Sequence, residues 1–353
     1  MTSTSFGDRS EAAQWLARMQ TAVEEALADA LELEDERSID ALWSQAREQV
    51  AEFALRPAKR IRPILALIGH GLASGSSKIG GDALRTAAAL ELLHTFLLIH
   101  DDVADRAPSR RGAPSLQRVL AEGRAGDDLA VVMGDHLFAR SMELMLESRS
   151  LRSVDAVLYL LQACRFTAAG QLLDLHLSRT PIPDVTLFQT LKVANLKTAR
   201  YGFVAPLVCG AILGGGSAGL REALERIGRY AGIAFQLRDD LIGLFGDEEA
   251  SGKSSASDYF EGKRTFPLIA AYTRADEGGR QELQRLWDLP EKTGGSLEEA
   301  RSLVVRCGGL RATERVISRV TRAGQRALAT LPSGSPSSEL LAHLFIQLAA
   351  RSA

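Results

Sequence analysis

The sequence predicts an all-α fold, a large single-domain antiparallel helical bundle around a central apolar cavity. Three observations point there. Segments rich in Ala, Leu, Glu and Arg follow one another, separated only by short Gly-, Ser- and Pro-rich breaks such as "SGSSKIGG", "SRTPIPD" and "LPSGSPSS". Strand-like alternation is absent. One segment, "AALELLHTFLLI" within 81–105, is apolar almost all the way round, as a buried central helix must be.

The elements follow in order. Helices are expected at 9–32 and 37–56, and another begins near Arg62-Pro63, where proline suits a first helical turn. The central helix covers 81–105. Further helices are expected at 127–148, 152–178, 184–214, 218–245, 264–275, 297–306, 311–331 and 336–351. Residues 1–36 hold a helix without an interpretable motif. No linker is long enough to separate two cores, so 1–353 reads as one domain.

Composition narrows the function. The chain has 353 residues, 46% hydrophobic and 24% charged, enough to bury a sizeable core. A net charge of −2 gives no basic field for nucleic acid. Cys164, Cys209 and Cys307 are scattered, lack metal-ligand spacing and read as free thiols in a reducing compartment. The N-terminus lacks the pattern of a secretory signal, and no uninterrupted apolar run reaches roughly 18 residues. A cytoplasmic protein without a membrane span is expected.

The chemistry concentrates in two aspartate pairs set in apolar stretches, Asp101-Asp102 in "LLIHDDVADRAPSRRG" and Asp239-Asp240 in "AFQLRDDLIGLFGD". At about 100° per residue, His94, Asp101 and Asp105 fall on one helical face. Asp101 and Asp105 are one turn apart, where like charges repel and also oppose the helix dipole. Burial raises that cost unless a cation is bound. Gln236, Asp239 and Asp240 likewise share a face. Basic residues accompany both: Arg110 and Arg111 after the first pair, Lys253 and Lys263 after the second, Lys59 and Arg62 in "RPAKRIRP", and Lys197 beside Thr198 in "VANLKTARYG". Carboxylates of this kind suit Mg²⁺ carrying a diphosphate, and guanidinium groups suit phosphate oxygens.

From about Lys59 to Lys263 the chain resembles the trans-isoprenyl diphosphate synthases, or polyprenyl synthetase family. "HDDVADRAPSRRG" looks like the first aspartate-rich motif, D-D-x-x-D with its trailing R-R-G, and "GIAFQLRDD" like the start of the second. "AKRIRP", "ELLHTF", "GQLLD", "KTA" and "GKRT" resemble five further segments in family order. The resemblance implies that Asp101, Asp105 and Asp239 ligate Mg²⁺, about three ions per site, with Asp102 and Asp240 as neighbouring carboxylates. It implies that Lys59, Arg62, His94 and Arg111 hold the diphosphate of isopentenyl diphosphate. Arg110, Lys197, Lys253 and nearby Lys263 would hold an allylic diphosphate. Thr198 and Gln236 would present oxygens to a developing cation, with Gln171 and Asp174 in support. A homodimer is also implied.

Two departures stand out. Pro57-Ala58 replace the usual two glycines before Lys59, and Gly243 stands where the second motif usually has its third aspartate. The expectation is that Asp239 and Asp240 suffice and that Asp247 helps only indirectly.

The implied reaction is head-to-tail prenyl transfer. Charge builds on the leaving diphosphate, the double bond of isopentenyl diphosphate attacks the allylic cation, and a proton is lost to the departing diphosphate. Apolar helix walls exclude the water that would quench the cation. By helical geometry Leu97 lies one turn beneath Asp101. Phe96, five residues before Asp101, resembles the large side chain that marks short-chain synthases, most like geranylgeranyl (twenty-carbon) producers, with farnesyl (fifteen-carbon) next. A class I terpene cyclase would carry an N-x-x-x-S-x-x-x-E motif, absent near Asp239. A non-catalytic regulatory subunit would have lost its acidic motifs, whereas the first is whole here.

Overall fold

The computed structural model describes residues 9–32, 39–76, 78–148, 150–246 and 257–349. The fold is helical almost throughout. It begins with α1 (Arg9–Leu31), α2 (Ala41–Leu55), α3 (Ile61–Ser74) and α4 (Gly81–Asp105). A two-stranded ribbon, β1 (Ser109–Arg110) and β2 (Ala113–Pro114), precedes α5 (Leu116–Leu120), α6 (Gly123–Leu146) and α7 (Ser153–Ser178). Next, α8 (Leu187–Val193) runs into a π-helical stretch, Ala194–Val204, and then α9 (Ala205–Leu213). The remainder is α10 (Ala218–Phe245), α11 (Ser257–Phe260), α12 (Phe266–Arg274), α13 (Glu277–Trp287), α14 (Gly294–Arg306), α15 (Gly309–Leu328) and α16 (Pro336–Ala349).

The expected helices are there; the short helices α5 and α11, the ribbon, α13 and the π-helical stretch go beyond them. The ribbon pairs Ser109 with Pro114 and Arg110 with Ala113. It is too short to show alternation, and its signal is the turn at Arg111 (φ 56°) and Gly112 (φ 74°), where two positive φ values close a two-residue hairpin. Helix α13 is masked in the sequence because Gly278 and Gly279 open it; Asp276 caps it by accepting from the Gly279 N–H at 2.8 Å. The π-helical stretch leaves no simple mark in composition.

The chain divides into two compact units. The first is Met1–Leu160 with Pro206–Leu224 and Pro332–His343; the second is Leu161–Ala205 with Glu225–Leu331 and Leu344–Ala353. In the first, α4 packs on α6, α3 and α1. Every residue from Thr86 to Thr95 is buried, which explains a sequence apolar on all sides. Close backbone approach completes this core: an added Cβ at Gly69 would strike the Leu207 carbonyl, so α3 and α9 need glycine there. In the second unit, Tyr259, Leu268, Ile269, Leu283, Leu286 and Trp287 anchor one apolar cluster. Leu237, Leu241, Phe266 and Ile317 anchor another.

The three cysteines are free, and burial raises the Cys164 thiol to about 11. Two helical segments pass a length and mean-hydropathy test for crossing a membrane, although neither holds an uninterrupted apolar run of 18 residues: Ser153–Ser178, whose apolar window is 33% buried, and Leu187–Leu213, 78% buried. The second is a core helix. The first leaves Val154, Leu158 and Leu172 exposed.

Candidate active site in two acidic clusters

The first cluster closes the C-terminal end of α4. Arg106, in the left-handed region at φ 54°, stops the helix directly after Asp105. The last turn therefore carries Asp101 and Asp105, both half-buried, while Asp102 points inward and is fully buried. Arg110, reaching back from the ribbon, donates to Asp102 through Nε at 2.8 Å and through Nη2. Gln117 Nε2 donates to the Asp102 carbonyl at 3.1 Å. Burial raises the Asp102 carboxyl above its ordinary range against the pull of Arg110. Burial works against the charge on Arg110, but the hydrogen bond and charge of Asp102, with Asp101 and Asp105 behind it, hold that guanidinium above its usual value.

Sequence reasoning missed two residues beneath this cluster. Arg60, fully buried with a left-handed backbone (φ 46°), places Nη1 2.6 Å from Glu91 Oε1. The same Glu91 oxygen lies 3.5 Å from Arg111 Nη2. A glutamate at 1% exposure thus anchors two arginines near His94. Burial, followed by the charges of Arg62, Arg111, Arg110 and Arg60, pushes the His94 imidazole well below its usual range. His94 is therefore neutral at neutral pH and offers hydrogen bonding rather than charge. Lys59 is exposed, and Arg62 is half-buried. The Ala58 carbonyl, where a family glycine is expected, accepts from Gln20 Nε2 at 3.0 Å. On the same helix as His94, Phe96 packs edge-on against His100 and tilted against Phe138, with centroids 4.5 and 5.3 Å away, and Leu97 is half-buried.

The second cluster gathers on the π-helical stretch. Gly170 on α7 brings that helix against it: an added Cβ would lie 2.5 Å from the Lys197 nitrogen. Asp174, one turn on, takes Lys197 Nζ at 2.8 Å. Gln171 is half-buried one turn before Asp174. Gly232 and Gly228 on α10 allow equally close approach to Ala199 and Val204. That contact sets Gln236 beside Thr198, whose hydroxyl lies 2.5 Å from Gln236 Oε1. Gln236 Nε2 then donates to Asp240 Oδ1 at 2.8 Å, and the Phe266 N–H donates to Asp240 Oδ2 at 3.4 Å. Thr198 and Gln236 thus spend polar atoms on each other and on Asp240. Burial raises Asp240 to about 8, helped by the charges of Asp258 and Asp239. Asp239 is half-buried. Lys263 Nζ lies 2.6 Å from Glu261 Oε2 and 3.9 Å from Asp258 Oδ1. Asp247 and Lys253 lie outside the described residues.

Among the described residues, no group of three or more His, Cys, Asp or Glu side chains closes on a common point for a metal. The donors fit magnesium nonetheless. They are hard carboxylate oxygens, and Asp102 Oδ2 and the Asp240 carboxyl are buried beyond what their present partners balance.

The fold is helical and carries two clusters that pair carboxylates with cationic side chains. The polyprenyl synthetase family model matches residues 44–304, and the chain belongs to that family. It is 38% identical over 226 residues to the short chain isoprenyl diphosphate synthase of Methanothermobacter thermautotrophicus, covering 64% of this chain and 66% of that protein. It is 34% identical over 265 residues to the geranylgeranyl diphosphate synthase of Mycobacterium tuberculosis (74% and 72% covered) and 33% identical over 295 residues to the octaprenyl diphosphate synthase of Escherichia coli (82% and 85%). Among solved structures it is similar to the geranylgeranyl pyrophosphate synthase of Corynebacterium glutamicum complexed with isoprenyl diphosphate and magnesium. The TM-score is 0.86 at 29% identity, with 96% of this chain and 99% of that one covered. The chain is an isoprenyl diphosphate synthase, which condenses isopentenyl diphosphate with an allylic diphosphate.

Proposed function

We propose that the product is geranylgeranyl diphosphate, with farnesyl diphosphate as the second reading. The observation that carries this is Phe96. It sits five residues before Asp101 on the same helix and is packed against His100 and Phe138, so its ring is held rather than free to swing aside. An aromatic wall there limits how far an apolar tail extends. Relatives of similar identity make chains of very different length, so the wall and not overall similarity is the basis for the reading.

Asp101, Asp105 and Asp239 would hold magnesium, about three ions in each site, with Asp102 and Asp240 shaping the shell behind them. When bound there, magnesium would supply positive charge against the leaving diphosphate. Lys59, Arg62 and Arg111 bind the diphosphate of isopentenyl diphosphate, and neutral His94 donates a hydrogen bond to it. Arg110, Lys197, Lys253 and Lys263 bind the allylic diphosphate. Gln171 and Asp174 keep Lys197 in place. The Thr198–Gln236–Asp240 chain of hydrogen bonds orients oxygens along one wall of the site and holds Asp240 against α12. Apolar helix faces exclude water from the carbocation.

The protein would act as one domain in the cytoplasm and as a homodimer. Support for the dimer is a set of exposed apolar side chains in the first unit: Val132 and Leu146 on α6, then Leu151, Val154 and Leu158. Light scattering on the purified protein reads the assembly directly.

The deciding experiment incubates purified protein with Mg²⁺, isopentenyl diphosphate and each allylic starter in turn, followed by chromatography of the dephosphorylated products. Twenty-carbon product is expected, and none in excess chelator. A dominant product beyond twenty carbons refutes the chain length, and undiminished turnover in chelator refutes the metal.

A further inference from the structure

Gly243 lies four residues after Asp239 and three after Asp240, hence on their face of α10. That face is not empty. A Cβ added at Gly243 would collide with the Asp258 carboxylate, meeting Oδ2 first, with Cγ at 2.8 Å and Oδ1 at 3.4 Å. The volume that a side chain at 243 would fill is occupied by an acid from α11. We propose that Asp258 supplies the second acidic motif with the carboxylate that Gly243 lacks, and so helps to hold the magnesium–diphosphate assembly.

Two observations carry this. The replacement is steric as well as chemical, since a residue larger than glycine at 243 would displace the Asp258 carboxylate. Asp258 is also held firmly by its backbone: the Lys263 N–H donates to its carbonyl at 2.9 Å, and the Glu261 N–H to the Ser257 carbonyl at 2.8 Å. Lys263 lies within ion-pair reach of both Asp258 and Glu261. Lys263 is 3.9 Å from Asp258 but 2.6 Å from Glu261.

The inference rests on the proposed magnesium site, and its test keeps the two separable. Mn²⁺ binding is followed by calorimetry in the presence of inorganic pyrophosphate, with no turnover involved, for wild type, Asp239→Asn, Asp258→Asn and the relocated pair Asp258→Gly/Gly243→Asp. Asp258→Asn is expected to weaken Mn²⁺ binding about tenfold or more. The relocated pair, which returns the acid to α10 and clears the space for it, is expected to recover most of that loss. If Asp258→Asn fails to fold by its thermal melt, the relocated pair decides: wild-type binding supports the proposal and absent binding overturns it. Wild-type affinity in Asp258→Asn alongside a loss in Asp239→Asn overturns the role of Asp258 alone. Wild-type affinity in both overturns the metal site itself, and the proposal with it.

Discussion

Lys197 Nζ lies 2.8 Å from Asp174 Oδ2, and both side chains are about one-fifth exposed. The lysine thus has a fixed position but keeps a face toward solvent. In the proposed site it binds the allylic diphosphate while Asp174 orients it. Lys197→Gln is expected to lower kcat/KM for the allylic substrate by about a hundredfold, the scale of losing one charge-stabilising donor. Asp174→Asn keeps the geometry and removes the opposing charge. It should raise the allylic KM by about tenfold at most and leave the KM for isopentenyl diphosphate unchanged. Initial-rate kinetics with each substrate varied in turn checks both.

Arg60 and Glu91 form a buried pair at 2.6 Å. Arg60→Met leaves Glu91 with only the 3.5 Å contact to Arg111. The expected loss is about 3–5 kcal/mol of stability, read by urea unfolding. The double variant Arg60→Met/Glu91→Leu removes both charges and should recover most of it, because the cost lies in the orphaned carboxylate.

His94 gives the stability a pH slope. Its folded pKa lies well below the ordinary 6.5, through burial and then four arginine charges. Below about pH 6.5 the unfolded chain takes up a proton that the folded protein refuses. Stability is therefore fully present above that value and falls with acid, by up to about 1.4 kcal/mol per pH unit from this group. His94→Asn should flatten the slope between pH 6.5 and 5 in parallel unfolding curves.

Phe96 is the chain-length prediction. Phe96→Ala opens space beside His100 and Phe138, and longer products should follow at the expense of the twenty-carbon one. An unchanged product distribution would remove Phe96 from the account.

Much of this was legible in the chain. The α4 and α10 boundaries followed from apolar runs that end in acidic residues, and the aspartates, Lys197 and Gln236 stood out as charge or amide in greasy helices. What stayed hidden depends on three-dimensional neighbours. Glu91 and Arg60 are 31 positions apart and read separately as a polar spot in a core helix and one more basic residue. Asp258 directly follows a polar stretch of the sequence, and nothing local says that its carboxylate fills the space above Gly243. The left-handed backbone of Arg111 was concealed because arginine has no preference for it; only the following glycine hinted at a turn.

The π-helical stretch of 11 residues that bears Lys197 and Thr198 has a genetic consequence. A wide turn of this kind holds one residue more than the α-helical path between the same ends. Loss of a single codon there lets the backbone relax to ordinary winding with its ladder intact, yet it swings the lysine and threonine out of phase with Asp174 and Gln236. A lineage can thus lose the placement of Lys197 beside Asp174 and of Thr198 beside Gln236 in one step while retaining a well-folded chain.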